Sequence, residues 1–207
     1  MPFLLVSLMA AAAFYVAHLW WAFIPTVCLT AFIAFFFRNP ERLPPVGSAM
    51  VAAPADGKII DISSVREPEL LQEDMHRISI FMSLMDVHVN RVPVDGTIRD
   101  MKYHRGRFMA AYEENAVEEN ERNAILIETS QGQRIVVVQV AGLMARRIVC
   151  YPAIGAFVLR GQRLGLIRFG SRTDIYLPLS SEIQVKVGEK VLGGETILAQ
   201  LKEKITA

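Results

Sequence analysis

Two rhythms of apolar and polar residues run along this chain. From Phe3 to Phe37 no Asp, Glu, Lys or Arg interrupts the apolar run; the first such charges are Arg38, Glu41 and Arg42. A helix crossing a bilayer needs about 20 apolar residues. The run, about 35 long, therefore predicts one long helical span or a tight helical hairpin. His18, Trp20 and Trp21 fall in its middle and favour a hairpin or a bend near a membrane surface, where tryptophan prefers to sit. Pro25 is a place for a kink. No basic stretch precedes the run and it is too long for a signal peptide, so it is expected to be retained as a membrane-anchoring segment, 1–37. Arg38 and Arg42 directly after it place the downstream domain on the cytoplasmic side of the cell (inner) membrane, by the positive-inside tendency. The proline-broken stretch 38–49 reads as a linker.

From Met50 the second rhythm begins, short apolar runs separated by glycine and proline. Val51–Ala53, Lys58–Ile62, Arg77–Leu84, Gly96–Tyr103, Asn123–Thr129, Arg134–Val140 and Arg146–Cys150 read as strands, as do Leu164–Phe169 and Thr173–Leu179. Pro54-Ala55-Asp56-Gly57 and Pro93-Val94-Asp95-Gly96 are turns of one make. The acidic stretch Glu113–Arg122 reads as an exposed loop or short helix. The tail holds an internal echo: Gly155-x-x-Val158-x-x-Gly161-x-x-Leu164 recurs as Gly188-x-x-Val191-x-x-Gly194-x-x-Ile197. The glycines fit turns and the apolar positions fit one inward face, giving two similar hairpins on either side of Gly170-Ser171. Such hairpins resemble the β-hammerhead of biotinyl and lipoyl carrier domains, but neither turn carries a lysine. The expected fold is mainly β, a compact β-rich α+β domain over 50–207 with hammerhead-like hairpin repeats behind an N-terminal hydrophobic helical segment.

Composition narrows the function. At 207 residues the chain allows one domain with an appendage. A net charge of +1 excludes a global basic field for nucleic acid. The 52% hydrophobic content and mean hydropathy of +0.31 owe their excess to the first 37 residues. Cys28 and Cys150 make no disulfide framework, which fits a reducing compartment. Histidine and cysteine fall at no metal-ligand spacing, and no phosphate-binding glycine string is present, so no metal is expected. Lys102, Arg105, Arg107, Arg146 and Arg147 read as a solvated surface or as a patch for anionic lipid head groups.

Chemistry concentrates at Gly170-Ser171, between two strand-like runs. A glycine there lets the backbone bend and leaves its carbonyl open, so a strained peptide would let the Ser171 hydroxyl attack it and turn amide into ester. A β-bulge or tight turn is the other reading. Asp86-Val87-His88-Val89-Asn90 presents His88, Asn90 and Asp86 toward one side of a strand end. Asp56 is by default a turn former; with His88 and Ser171 it completes an acid–base–nucleophile set drawn from three distant segments.

Several strings together resemble the phosphatidylserine decarboxylase family in its short bacterial form. They are Phe36-Phe37-Arg38-Asn39-Pro40-Glu41-Arg42, Pro54-Ala55-Asp56-Gly57, Asp86 to Pro93, Asn120-Glu121-Arg122-Asn123, Gly161 to Gly165, and Phe169-Gly170-Ser171, in the family's order. The resemblance implies a zymogen cut autocatalytically at Gly170-Ser171 into chains 1–170 and 171–207, which stay together as a heterodimer. Ser171 becomes a covalent pyruvoyl cofactor that forms a Schiff base with the amine of phosphatidylserine. The product is phosphatidylethanolamine, a phospholipid. It further implies that His88 protonates the carbon left by carbon dioxide and that Asp56 and a histidine assist the cut. Two departures stand out. Arg91 occupies the place of a second histidine, leaving open whether His88 serves maturation, decarboxylation or both. Arg172 stands where many members have threonine, either as a substrate-phosphate partner or pointing to water. The rival readings are a decarboxylase of archaeal-type ether lipids and a non-enzymatic membrane-anchored hammerhead adaptor; a homo-oligomer of the heterodimer is left open.

Overall fold

The computed structural model describes residues 2–106, 120–142, 147–167 and 170–202. Arg107, most of Glu113–Arg122, Arg146, Arg168 and Phe169 lie outside them. The chain divides into two compact units, 1–40 and 41–207.

The first unit settles the choice between span and hairpin. Helices α1 (Pro2–Val16) and α2 (Trp20–Phe36) pack on each other across a three-residue connection in which His18 takes φ +54°. Tyr15 closes the bend, its ring 5.6 Å from that of Trp20 and 5.5 Å from that of Phe23. The single long span is thereby corrected. At 1.5 Å per residue the two helices, 15 and 17 residues long, reach only about 22 and 26 Å, short of a hydrocarbon core of about 30 Å. No helix among the described residues is long and apolar enough to cross a membrane. α2 runs on through Pro25.

Among the described residues the regular elements of the second unit are all strands: β1 (Met50–Ala52), β2 (Gly57–Arg66), β3 (Asp74–Met82), β4 (Val89–Arg91), β5 (Gly96–His104), β6 (Arg122–Glu128), β7 (Arg134–Val140), β8 (Ile148–Cys150), β9 (Phe157–Val158), β10 (Arg163–Ile167), β11 (Ser171–Pro178), β12 (Glu182–Ile183), β13 (Lys190–Val191) and β14 (Ile197–Gln200). They form an eight-stranded sheet, β13-β2-β3-β11-β7-β6-β5-β9, and two three-stranded sheets, β1-β14-β12 and β4-β10-β8. The mainly β expectation holds. Strand β11 lies in the middle of the large sheet, pairing Ser171 to Pro178 with β3 and Arg172 to Tyr176 with β7.

Alternation explains why β11 is apolar and polar at once. Ile175 and Leu177 face the main core with Ile59, Ile78, Ile80, Ile125 and Val137. Tyr176 faces the other way, into a second cluster with Val136, Val138 and Met75, against which Leu70 and Leu71 pack. Burial there pushes the Tyr176 phenol up to about 12, helped by the nearby Asp174 carboxylate. Because the folded state holds this proton more tightly, the associated stability is present below pH ~10 and lost as pH rises toward 12. The loss is about 3 kcal/mol at most. Alkaline unfolding followed by circular dichroism is expected to show this loss, and Tyr176→Phe to flatten it.

The internal echo is a structural repeat. Gly155, Gly161, Gly188 and Gly194 all take φ between +78° and +92°, the left-handed conformation that glycine adopts without cost. Ile98 receives the amide of Gly155 and gives its own to Ala156; Ile59 does the same with Gly188 and Glu189. The two aspartate turns match as well: Asp95 Oδ1 accepts the Arg160 amide and Asp56 Oδ1 the Gly193 amide, each at 2.7 Å. The segment read as a linker docks on this unit from Arg42 onward. Arg42 bridges Asp56 and Glu195, and Pro44 leaves only 3.1 Å for a Cβ at Gly161.

Candidate active site

Ser171 opens β11 and is fully buried. The pairing Ser171↔Met82 continues without a break into Arg172↔Phe81, so the β-bulge reading of this position is corrected. The bend lies one residue earlier, at Gly170, whose φ of +58° costs an ordinary L-residue about 1–2 kcal/mol. Ser171 shares the inner face of β11 with Thr173. Its hydroxyl donates to the Met82 sulfur at 3.9 Å, a weak bond to a weak acceptor. The oxygen thus sits dry and poorly committed beside the Gly170 carbonyl.

His88 is brought to the same place from 82 residues upstream. Its ring is fully buried. Nδ1 lies 2.9 Å from the Asp86 carbonyl, which can only accept, so Nδ1 carries the proton. Nε2 is then the unprotonated nitrogen, and it accepts the Gly170 amide at 3.4 Å. A backbone carbonyl thus sets the tautomer, and the ring's acceptor nitrogen is turned to the residue just before the serine. The Asp86 side chain does not join His88: its Oδ2 accepts the amide and hydroxyl of Ser83, closing its own turn. That corrects its place in the His88–Asn90 row, to which it contributes only its carbonyl.

Asp56 holds a turn to two distant parts of the chain. Besides the Gly193 amide it binds Arg42 at 2.7 Å, both side chains about nine-tenths buried. Its clasp on Gly193 is the one Asp95 makes on Arg160, in a turn with no glycine–serine bond beside it. The geometry is that of a turn-holding carboxylate.

Both departures from the family pattern find other partners. Arg91 donates to the Gly161 carbonyl at 3.0 Å. Burial, then the cations of Arg163 and Arg42, pull its guanidinium below the usual value. Arg172 projects from the face of β11 opposite Ser171. There it donates to Asp174 at 2.6 Å and to Ser79 at 2.7 Å, 3% exposed. It meets neither water nor the Ser171 face of the strand, which corrects both readings of it. Among the spare cations, Lys102, Arg105 and Arg147 are exposed.

A polar feature that sequence reasoning missed lies behind the serine: Asn90, Gln139 and Asn123 hydrogen-bond in a buried row. Only Asn90 carried a signal, by alternating with His88.

The family model described as phosphatidylserine decarboxylase matches residues 29–199. A protein of Geotalea daltonii named phosphatidylserine decarboxylase proenzyme is 53% identical over 172 residues, 83% of this chain and 80% of its own. Proteins of the same name are 48% identical in Geobacter sulfurreducens, over 95% of this chain and 90% of that one, and 46% identical in Syntrophus aciditrophicus, over 90% and 87%. With the match running from the end of α2 through the aspartate turns and the buried serine, this chain belongs to the phosphatidylserine decarboxylase family.

Proposed function

We propose that this chain is made as a proenzyme, cuts itself between Gly170 and Ser171, and then removes the carboxyl group of phosphatidylserine to leave phosphatidylethanolamine. The observation that carries the reading is the junction of the Gly170 amide and the unprotonated His88 Nε2, with a dry Ser171 hydroxyl next in the chain. His88 Nε2 takes the hydroxyl proton as Oγ attacks the Gly170 carbonyl. The C–N bond breaks, the proton passes to the Ser171 nitrogen, and an ester joins Gly170 to the side chain. Loss of the Ser171 α-proton then expels the Gly170 carboxylate. Water replaces the resulting enamine nitrogen, which leaves as ammonia, and position 171 becomes a pyruvoyl group.

The residues suit that product. Ser171 begins a strand held by β3 on one side and, from Arg172, by β7 on the other, so a new terminus there stays anchored. The small chain, 171–207, contributes β11, β12, β13 and β14 to sheets whose other strands come from the large chain, which keeps the heterodimer together. A pyruvoyl carbonyl at 171 supplies an electron sink for the pair left behind by carbon dioxide. His88 Nε2 holds the proton that the substrate carbon then needs. Asp56 assists from a distance, by fixing the turn before β2 to Arg42 and to the small chain's Gly193.

The hydrophobic hairpin keeps the enzyme at the bilayer, where its lipid substrate is concentrated, with the β domain on the cytoplasmic side. Arg42 is spent on Asp56 and Glu195, so Arg38, stacked on Phe35, carries that orientation.

Intact mass of the purified protein, with phosphatidylserine vesicles and borohydride, tests the reading. Two chains, carbon dioxide release and substrate amine trapped on the fragment that starts at 171 are expected. One whole chain with no trapped amine would sink it.

A further inference from the structure

A line of buried amides runs through the β domain and ends at Thr173 and Met82, beside Ser171. Asn123 on β6 is 5% exposed; Gln139 on β7 and Asn90 on β4 are fully buried. Asn123 Nδ2 donates to Gln139 Oε1 at 3.2 Å, and Gln139 Nε2 donates to Asn90 Oδ1 at 2.8 Å. Asn90 Nδ2 then donates to Thr173 Oγ1 at 3.3 Å and to Met82 Sδ at 3.7 Å. The same sulfur receives the Ser171 hydroxyl.

The line has a direction. Reversing Gln139 or Asn90 alone would set nitrogen against nitrogen or oxygen against oxygen; as the row stands, every donor end points toward Ser171. Aligned amides polarise one another in a dry interior. The core makes room for them: a Cβ on Gly165 of β10 would lie 2.8 Å from Gln139 Nε2 and 2.1 Å from the Val149 carbonyl. Apolar side chains would fill this volume without risk, whereas an amide left unpaired here costs about 1–3 kcal/mol.

We propose that Asn90, its amide set by Gln139, is a positioning residue for the cut at Gly170–Ser171; this rests on the self-cleavage reading above. Its Nδ2 engages the acceptors that border the serine, Thr173 Oγ1 and Met82 Sδ. Nδ2 thereby competes with the Ser171 hydroxyl for the Met82 sulfur, which favours passing that proton to His88, and it places a donor dipole behind the serine as negative charge grows on Oγ. Asn90 acts through Met82 and Thr173.

Asn90→Asp isolates the donor, because an ionised carboxylate turns an oxygen where Nδ2 stood and its protonated form restores an O–H. A carboxyl buried there is held neutral to higher pH than one in water. The ionisable groups on the elements around it are His88 and Arg91 on its own segment, Arg163 on β10 and Cys150 on β8. Burial pushes the Cys150 thiol up, and Asn123 lies between it and Gln139. β3, β6, β7 and β11 present Met82, Asn123, Gln139 and Thr173, none of which titrates.

The full chain and its variants are synthesised in a short cell-free pulse with vesicles, translation is stopped, and portions are moved to about pH 5.5 through about pH 8 while loss of the uncut band is timed. Asn90→Asp is expected to cut about 30-fold or more slowly than wild type near pH 8, with the gap closing roughly tenfold near pH 5.5. Gln139→Met, similar in volume, is expected to slow the cut about tenfold at every pH. Cutting of Asn90→Asp at the wild-type rate, or slowed by one factor at all pH values, overturns the proposal. Should Asn90→Asp fail to fold, Gln139→Met decides: cutting at the wild-type rate overturns it. A wild-type chain that stays whole in the same tubes overturns the maturation reading, and this proposal with it.

Discussion

Ser171→Ala is expected to leave one uncut chain of 207 residues with no measurable decarboxylation. The substitution removes one oxygen and little else. That oxygen donates only a weak bond to Met82 Sδ, so its loss costs the fold about 1 kcal/mol or less. Backbone pairing of residue 171 with Met82 does not depend on the side chain. Maturation, by contrast, loses its nucleophile and the atom from which the cofactor is made, so no lower-rate route remains. The measurement is a denaturing gel beside a thermal melt and a carbon dioxide assay. A full-length band with a melting temperature within a few degrees of the uncut wild type, and no activity, is the expected triad. Two chains from the alanine variant would show that some other residue breaks the bond.

His88→Ala ranks second in expected effect. The imidazole is buried, its Nδ1 proton is fixed by the Asp86 carbonyl, and its Nε2 faces Gly170. Removing a positioned base of this kind slows proton transfer by about 10²–10⁴-fold. The uncut chain is therefore expected to accumulate, with a slow residue of cut protein. That residue separates the two duties of His88. Carbon dioxide released per trapped carbonyl reports decarboxylation alone, whereas the uncut fraction reports maturation alone. If the imidazole serves both, the two numbers fall together. His88→Gln keeps an acceptor near the Gly170 amide but no proton-exchanging nitrogen, and is expected to fold better while cutting as slowly. A variant that cuts and turns over normally would remove His88 from the chemistry.

How far the sequence could be read depended on how local the signal was. Strands β2, β3, β5, β6 and β7 were legible because alternation and Gly–Pro punctuation are properties of ten residues at a time. β4, three residues ending in Arg91, was legible only as a strand end, from the alternation of His88 and Asn90. The echo of Gly155–Leu164 in Gly188–Ile197 was legible for the same local reason, and the four left-handed glycines in its two copies show why it exists. The direction in which Arg172 points was hidden, although it follows from β11 starting at Ser171 rather than Thr173. A shift of two residues in a strand's start moves the site from loop to sheet and puts its neighbour on the opposite face.

Asp56 illustrates the limit most clearly. Its turn chemistry was visible in Pro54-Ala55-Asp56-Gly57, but its partners Arg42 and Gly193 lie 14 residues before and 137 after it. No pattern within a window connects them.

The sequence by itself determined a hydrophobic opening followed by a β-rich domain, a duplicated glycine hairpin, and a glycine–serine bond between strands, because each is written in neighbouring residues. Only the tertiary structure decided that the opening folds back as two short helices, that His88 reaches Gly170, that Asp56 clasps Arg42 and Gly193, and that Arg172 turns away from Ser171. It also decided that Asn90, Gln139 and Asn123 line up behind the serine. Those outcomes rest on which strands pair and in what register, and register is set by the packing of the whole core at once.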